Sequence, residues 1–364
     1  MAPLRAFEEQ ESEILDKTAS VLKSGMWVYA SEGKALEEEL ASYMGAERAI
    51  AVNSGTDSLL ISLQALGIKP GDEVITPAYS FFASASVIAL HHAVPVFVDI
   101  DEHTFNIDPD AVEAAITEKT VGIIAVHLYG LPAELDKLRE IADKHGLFLL
   151  EDACQAVGAT YKGRTVGTFG DLSGFSFYPT KNLAACGEGG CITGKNSEAL
   201  DIASKLRIHG ETKRYHHSLL GRNCRLDEIQ SSILRLRLQK LPEWTEKRRS
   251  IASKYIDAWA DLPLRVPYVP QDREHVFHLF VIRSRDRERM REYLSERKIG
   301  CGVYYPVILP SLEVFGNLGH KPGEFPVSEK MCREVLALPI FPHMTDSEID
   351  TVITAIFDFH GQKP

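Results

Sequence analysis

From about residue 48 to 195, short apolar runs alternate with stretches of helical spacing. Ala49-Ile-Ala-Val52 leads into a predicted helix from about Thr56 to Leu66. Glu73-Val-Ile-Thr76 is followed by a helix across Phe81–Leu90 and then by Val94-Pro-Val-Phe-Val98. Gly122-Ile-Ile-Ala-Val126, a helix near Glu134–Lys144 and Leu147-Phe-Leu-Leu150 continue the series. Such alternation predicts an α/β fold in which a mostly parallel central sheet carries helices on both faces. In sheets of this kind ligands gather at the carboxyl ends of the strands. Asn53-Ser-Gly-Thr56, Thr76-Pro-Ala-Tyr79 and Glu151-Asp152 all fall at such ends, so three motifs are expected on one rim.

The pattern changes in the last third. Residues from about Leu226 to Ala260 read as long helices broken near Pro242. Beyond Pro267-Tyr-Val-Pro270 come a strand at His278–Ile282, a helix at Asp286–Lys298, a strand at Gly302–Tyr305 and a closing helix at Asp346–Phe359. A chain of 364 residues is long for a single core. Two domains are therefore expected: residues 1–250, with an N-terminal helical segment and the large sheet, and residues 251–364, a smaller α/β unit.

A net charge of −11 argues against a nucleic-acid binder, which would show a basic face. It leaves anionic ligands open, because backbone amides at a helix start hold a phosphate whatever the overall charge. No apolar stretch approaches membrane-spanning length, and Met1-Ala-Pro-Leu-Arg-Ala-Phe lacks the apolar core of a signal peptide. A soluble cytoplasmic protein is the expectation. The six cysteines include no Cys-x-x-Cys, and the paired histidines His91-His92 and His216-His217 are sequence neighbours, which rarely face one metal. No metal site is expected.

Within the rim motifs, Asn53-Ser-Gly-Thr-Asp57 follows a strand and opens a helix, which makes it a phosphate seat or an ordinary helix cap. Gly55 lets an anion approach the backbone and the Thr56 hydroxyl adds a bond. Asp152 ends a buried run, where a carboxylate is costly without a cation. A protonated pyridine nitrogen would be that cation; an arginine or a helix start are the alternatives. Gln155 lies one turn on. Phe81 suits a flat ligand or the core. Lys181, pinned behind Pro179-Thr180, is nucleophilic only if its proton leaves well below the free pKa of about 10.4. A lysine for an aldehyde and a carboxylate for a ring nitrogen are the minimal equipment of pyridoxal phosphate chemistry. Gly187-Glu-Gly-Gly190 precedes a strand instead of opening a helix, so it is no dinucleotide fingerprint.

Taken in order, Asn53-Ser-Gly-Thr56, Gly71-Asp-Glu-Val-Ile-Thr-Pro77, Pro95-Val-Phe-Val-Asp99, Glu151-Asp-Ala-Cys-Gln-Ala156, Phe175-Ser-Phe-Tyr-Pro-Thr-Lys-Asn182, His209-Gly210, Asn223-Cys-Arg-Leu-Asp227 and Leu338-Pro339 resemble the DegT/DnrJ/EryC1/StrS family of sugar aminotransferases. The resemblance runs from roughly residue 10 to 360. It implies the fold type I of pyridoxal-phosphate transferases, with Lys181 bonding the cofactor aldehyde and shuttling the proton. It implies Asp152 on the ring nitrogen, Phe81 stacked on the ring and Gln155 at the phenolic oxygen. Gly55, Thr56 and Ser176 would hold the phosphate, with Asn223 reaching in from the second subunit of a homodimer. Cys154 stands where many relatives carry Ala. Members with His at the lysine position are dehydratases; Lys181 favours amino transfer.

The implied reaction loads the cofactor with an amino group from L-glutamate and passes it to a nucleotide-linked keto sugar, giving an amino sugar for surface polysaccharide or a related glycan. Arg225 would receive a carboxylate of the donor or of an acidic sugar, or serve as a surface ion-pair partner. Arg214-Tyr-His-His217 and Gly302-Val-Tyr-Tyr-Pro306 look most like members that aminate C3 of a 3-keto sugar, UDP- or dTDP-linked, with Tyr304 and Tyr305 coming from the partner subunit. Val307-Ile-Leu-Pro310 departs from the Pro-Leu-His of many relatives, which bears on the sugar contacts. Amination at C4 or of a cyclitol or aminoshikimate-type ketone are the rival reactions. A pyridoxal-phosphate-binding regulator is the rival outside enzymes.

Overall fold

The computed structural model describes residues 3–361. Its centre is a seven-stranded sheet in the order 50–52, 190–193, 172–176, 148–152, 120–126, 73–77 and 94–98. The five strands from 172–176 to 94–98 are parallel, and Gly190–Thr193 runs antiparallel between Ile50–Val52 and Leu172–Ser176. The expected α/β architecture is present. Strands buried on both faces read as continuous apolar runs, which is why Ile123, Ile124, Leu149 and Leu150 are all fully enclosed.

Helices cover both faces. Gly55–Ala65 packs on one side with Leu59, Leu60, Ile61 and Leu63 buried. Leu135–His145 packs on the other with Leu138, Ile141 and Ala142 inside. Two N-terminal helices, Glu11–Ser24 and Ser31–Met44, lie along the long helix Glu228–Ala258. No described helix is long and apolar enough to cross a membrane.

That long helix corrects one expectation. It runs 31 residues without interruption through Pro242. Pro242 sits on the exposed side, where water can satisfy the carbonyl that a proline leaves unpaired, while neighbouring Leu241, Trp244 and Thr245 are buried and hold the register.

The C-terminal part pairs Phe280–Arg283 with Val335–Leu338 in a two-stranded antiparallel sheet, flanked by Arg287–Glu296 and Asp346–Phe359. Its core includes Tyr255, Trp259, Phe280, Leu336 and Ile356. Gly302–Tyr305 is not a strand: it makes a single bridge, Gly302 to Ala337, and is otherwise loop. The physical reason lies in two buried phenols. The Tyr79 hydroxyl donates to the Tyr304 carbonyl at 2.7 Å and accepts from the Tyr305 amide at 2.6 Å. The Tyr129 hydroxyl lies against the same carbonyl and within 3.1 Å of the Tyr79 hydroxyl. Those backbone groups are thus bonded to the large sheet's rim and not to a strand partner.

Candidate active site

The parallel strands end on one rim, and a cavity of about 620 Å³ opens there. Ser54, Gly55, Thr56, Phe81, Asp152, Cys154, Gln155, Ser176, Lys181, His278, Tyr304 and Tyr305 are among the residues that line it. Of the residues expected to hold cofactor or substrate, Asn223 and Arg225 do not line it. That volume suits a ligand of cofactor size.

One wall is the start of helix Gly55–Ala65. The Ser54 hydroxyl caps it by accepting from the Asp57 amide at 3.0 Å and is bonded in turn to the Asp57 carboxylate at 3.0 Å. The amides of Gly55 and Thr56 have no helical partner and stand at the positive end of the dipole. A Cβ on Gly55 would sit 2.6 Å from Ser176 Cβ and 3.0 Å from both Ser176 Oγ and Cys154 Sγ. Glycine is therefore what lets the helix start close on Ser176, leaving a cradle of amides and hydroxyls sized for a phosphate.

The floor carries Asp152, the last residue of its strand, 5% exposed. Ser84 Oγ donates to Oδ2 at 2.8 Å and the Cys154 amide to Oδ1 at 3.3 Å. Among the described residues no cation pairs with it. A buried carboxylate bonded only by neutral donors and open to a cavity fits a cationic ring nitrogen. Cys154 lies beside it, its thiol pushed well above the usual range by burial.

Lys181 follows a strand–loop turn in which its amide bonds the Tyr178 carbonyl at 2.8 Å. Its ammonium has no carboxylate partner within ion-pair distance among the described residues. Burial lowers its pKa, against the opposing pull of Cys154 and Asp152, so the nucleophilic amine is available at lower pH than for a surface lysine.

Phe81 stands at the mouth, half-exposed, with its ring 6.2 Å from that of Tyr305. Gln155 is oriented by two bonds: Oε1 accepts from the Tyr129 amide at 2.7 Å, and Nε2 donates to the Tyr305 hydroxyl at 3.2 Å. Burial raises the Tyr305 and Tyr129 hydroxyl pKa values, so both stay protonated. The family resemblance implies Tyr304 and Tyr305 from the partner subunit. The structure places them in this chain's own cavity, because Tyr79 and Tyr129 fasten their backbone to the same rim. Next to them Leu309 donates its amide to Ala78 at 2.8 Å, and Ile308, Leu309 and Pro310 are buried. The segment that departs from the Pro-Leu-His pattern thus supplies apolar packing.

Asn223 and Arg225 sit on the outer side of the chain, Arg225 Nε donating to Asn223 Oδ1 at 3.0 Å. Their backbone stays close to the sheet through the bridges Ile208 to Asn223 and Val52 to Arg225.

Tyr79 falls on the expected rim as part of Thr76-Pro-Ala-Tyr79, though with no task given to it, and Ser84 falls inside an expected helix; no local pattern announces Tyr129 or His278.

Residues 8–357 match the family model described as the DegT/DnrJ/EryC1/StrS aminotransferase family. The chain belongs to that family. Its residues fit pyridoxal phosphate, the cofactor of these transaminases: an unpaired lysine, an unpaired carboxylate and a phosphate cradle share one cavity. It is 43% identical to "Pleiotropic regulatory protein" of Geobacillus stearothermophilus, over 97% of this chain and 96% of that one. It is 40% identical to "dTDP-3-amino-3,4,6-trideoxy-alpha-D-glucose transaminase" of Streptomyces venezuelae, over 96% and 93%. The crystal structure of S. venezuelae DesV in complex with a ketimine intermediate superposes with a TM-score of 0.97 at 38% identity, covering 100% of this chain and 98% of that one.

Proposed function

We propose that this protein transfers an amino group from L-glutamate to C3 of a nucleotide-linked 3-keto hexose, with pyridoxal phosphate as the carrier. The observation that carries this reading is the pairing of Lys181 and Asp152. One is a buried amine with a lowered pKa, the other a buried carboxylate without a protein cation, and both line one cavity. The relative from S. venezuelae, a 3-amino sugar transaminase by name, supports the position aminated.

The bound cofactor supplies an aldehyde and an electron-withdrawing ring. Everything else is the work of the chain. Asp152 holds the ring nitrogen's proton by charge. Gly55 and Thr56 amides and the Ser176 hydroxyl would hold the phosphate, and Phe81 would offer a face to the ring. Gln155, steered by Tyr129, would offer its Nε2 to the phenolic oxygen. Lys181 Nζ would hold the aldehyde and, as a free amine, would carry the proton between the donor and acceptor carbons. Tyr304 and Tyr305 stand on the sugar side.

Asn223 and Arg225 act in the second subunit of a homodimer, where Asn223 completes the phosphate site and Arg225 receives a carboxylate. Support comes from their outward position and from the exposed Met26, Trp27, Val28 and Tyr29 beside them, joined by the bridge Val28 to Asp227. The domain division falls at residue 250, since the second core draws on Ile251 onward. The protein works in the cytoplasm, where nucleotide sugars are made, and its product feeds surface polysaccharide or a related glycan. A regulator that binds the cofactor without turnover is the second reading, supported by the name of the G. stearothermophilus relative.

The test is the visible spectrum of the full-length protein with pyridoxal phosphate, before and after L-glutamate, beside Lys181→Ala. A band that glutamate bleaches and the variant cannot form is expected, followed by turnover on a panel of 3-keto and 4-keto dTDP- and UDP-sugars and cyclitol ketones. A band unmoved by glutamate, or turnover confined to 4-keto sugars or cyclitols, overturns the donor or the position. No turnover on any ketone favours the regulator.

A further inference from the structure

Several buried serines in the helices of this protein spend their hydroxyl on the helix itself. Ser58 Oγ donates to the Gly55 carbonyl at 2.6 Å, Ser62 Oγ to that of Ser58 at 2.7 Å, and Ser231 Oγ to that of Asp227 at 2.8 Å. Donation to a carbonyl three or four residues back is a common use of a serine inside a helix. Ser84, in the first turn of helix Ala83–Ala89 and fully enclosed, does otherwise. Its hydroxyl reaches the end of strand Phe148–Asp152 and donates to Asp152 Oδ2 at 2.8 Å.

A second serine fixes the direction of that bond. Ser80 Oγ, also buried, lies 2.9 Å from Ser84 Oγ. A hydroxyl has a single proton to give, and a carboxylate only accepts. The Ser84 proton therefore goes to Asp152, and Ser80 donates to Ser84. Bonds in such a chain polarise one another in the low-dielectric interior, which strengthens the one that ends on the charge. The other Asp152 oxygen takes only the Cys154 amide at 3.3 Å, so Ser84 makes the shorter of the two contacts. Ser80 lines the cavity, whereas Ser84 is not among its lining residues.

We infer that Ser84 is a positioning residue: its hydroxyl fixes the rotation of the Asp152 carboxylate, so that the anion faces the ring nitrogen of the cofactor. Ser84 touches no ligand itself. Without its hydroxyl the carboxylate can turn about its side-chain bonds, since among the described residues no cation holds it. The inference rests on reading Asp152 as the partner of the ring nitrogen.

The experiment compares two ligands on full-length protein freed of cofactor: pyridoxal phosphate and its 1-deaza analogue, in which a C–H replaces the ring nitrogen. Aldehyde and phosphate are the same in both, so the ratio of their dissociation constants isolates the contact to Asp152. Isothermal titration calorimetry reads both constants. Wild type is expected to prefer pyridoxal phosphate by about tenfold or more, the worth of a hydrogen bond to a charged group. Ser84→Ala is expected to weaken pyridoxal phosphate about tenfold and the analogue by less than about twofold, so that the preference collapses. Ser84→Thr, which keeps the hydroxyl, is expected to retain the preference. Ser84→Cys, with a weaker donor, takes the place of the Ala variant should that fail to fold. Equal weakening of both ligands marks a serine that serves only packing and overturns the proposal, as does an unchanged preference. A wild-type protein that binds both ligands alike would instead overturn the Asp152 reading, so the two failures are distinguishable.

Discussion

Replacing Glu151 by glutamine is the most informative perturbation outside the cavity. Its carboxylate is fully buried and accepts five hydrogen bonds. Oε1 takes the amides of Phe169 at 2.9 Å and Gly170 at 2.7 Å, and the Ser173 hydroxyl at 2.8 Å. Oε2 takes the Gly167 amide at 2.9 Å and His127 Nε2 at 3.0 Å. Because His127 Nδ1 accepts from Ala133, the ring proton belongs on Nε2 and cannot move without stranding another donor. Whichever way a glutamine amide turns, its NH2 faces N–H or O–H donors. At least two bonds to a charged acceptor are lost, each worth about 1.5–3 kcal/mol, so about 3–6 kcal/mol in all. With an unfolding entropy of about 0.8 kcal/mol per kelvin for a chain of this length, Glu151→Gln is expected to lower Tm by about 4–8 °C in circular dichroism melts at neutral pH. The pH dependence follows in sign. Burial works against the charge, but the His127 bond and the Gly167 and Gly170 amides outweigh it, and the carboxyl titrates below its usual range. A depressed carboxyl contributes fully above its unfolded value of about 4.5 and loses that contribution as pH falls through the folded value. The gap between wild type and variant should stay constant down to roughly pH 5 and narrow below it. A variant that melts within about 1 °C of wild type at pH 7, or a gap that widens in acid, refutes the reasoning.

Gly55→Ala places a methyl group 2.6 Å from Ser176 Cβ and forces the helix start away from the Ser176 hydroxyl. The apparent affinity for pyridoxal phosphate in absorbance titrations should weaken about tenfold or more, with the cofactor-free melt lowered by about 1–4 °C from overpacking, and equal affinity would refute the cradle. Tyr79→Phe removes the hydroxyl that fastens Tyr304 and Tyr305. The KM for the keto sugar should rise roughly tenfold while glutamate bleaches the cofactor band at close to the wild-type rate; an unchanged KM would show that the clamp does not serve the sugar side.

What the sequence made legible was whatever local pattern enforces. The apolar runs became strands at 73–77, 94–98, 120–126 and 148–152, and the closing helix occupies Asp346–Phe359 as expected. The cavity residues were legible for different reasons: Gly55 and Asp152 follow or end a run, and runs of a parallel sheet end on one side, whereas Lys181 stood out behind Pro179-Thr180 and Ser176 came from the family resemblance alone. Features decided by distant partners were not legible. Pro242 signals a break, but burial of its neighbours along two other helices outweighs the loss of one helical bond. Gly302-Val-Tyr-Tyr305 has strand composition, yet phenols from residues 79 and 129 claim its backbone. His278 carries no sequence signal, because what sets it apart is an enclosed Nδ1 with no partner among the described residues.

Glu151 and Asp152 show how consecutive carboxylates come to opposite ends. Successive residues of a strand point to opposite faces. Glu151 turns into the protein, where the turn at 167–170 and His127 surround it with donors until the charge is paid for entirely within the chain. Asp152 turns onto the rim and receives two neutral donors and, among the described residues, no cation. The first arrangement fixes the strand end and the turn at 167–170 in register, and the second depends on that rigidity. A carboxylate left short of a counter-charge tends to escape to water unless its backbone is held. A loosened strand end in Glu151→Gln should therefore weaken cofactor binding as well as stability, although Glu151 touches nothing in the cavity. Cofactor affinity that stays at the wild-type value while Tm falls would separate the two carboxylates and end this coupling argument.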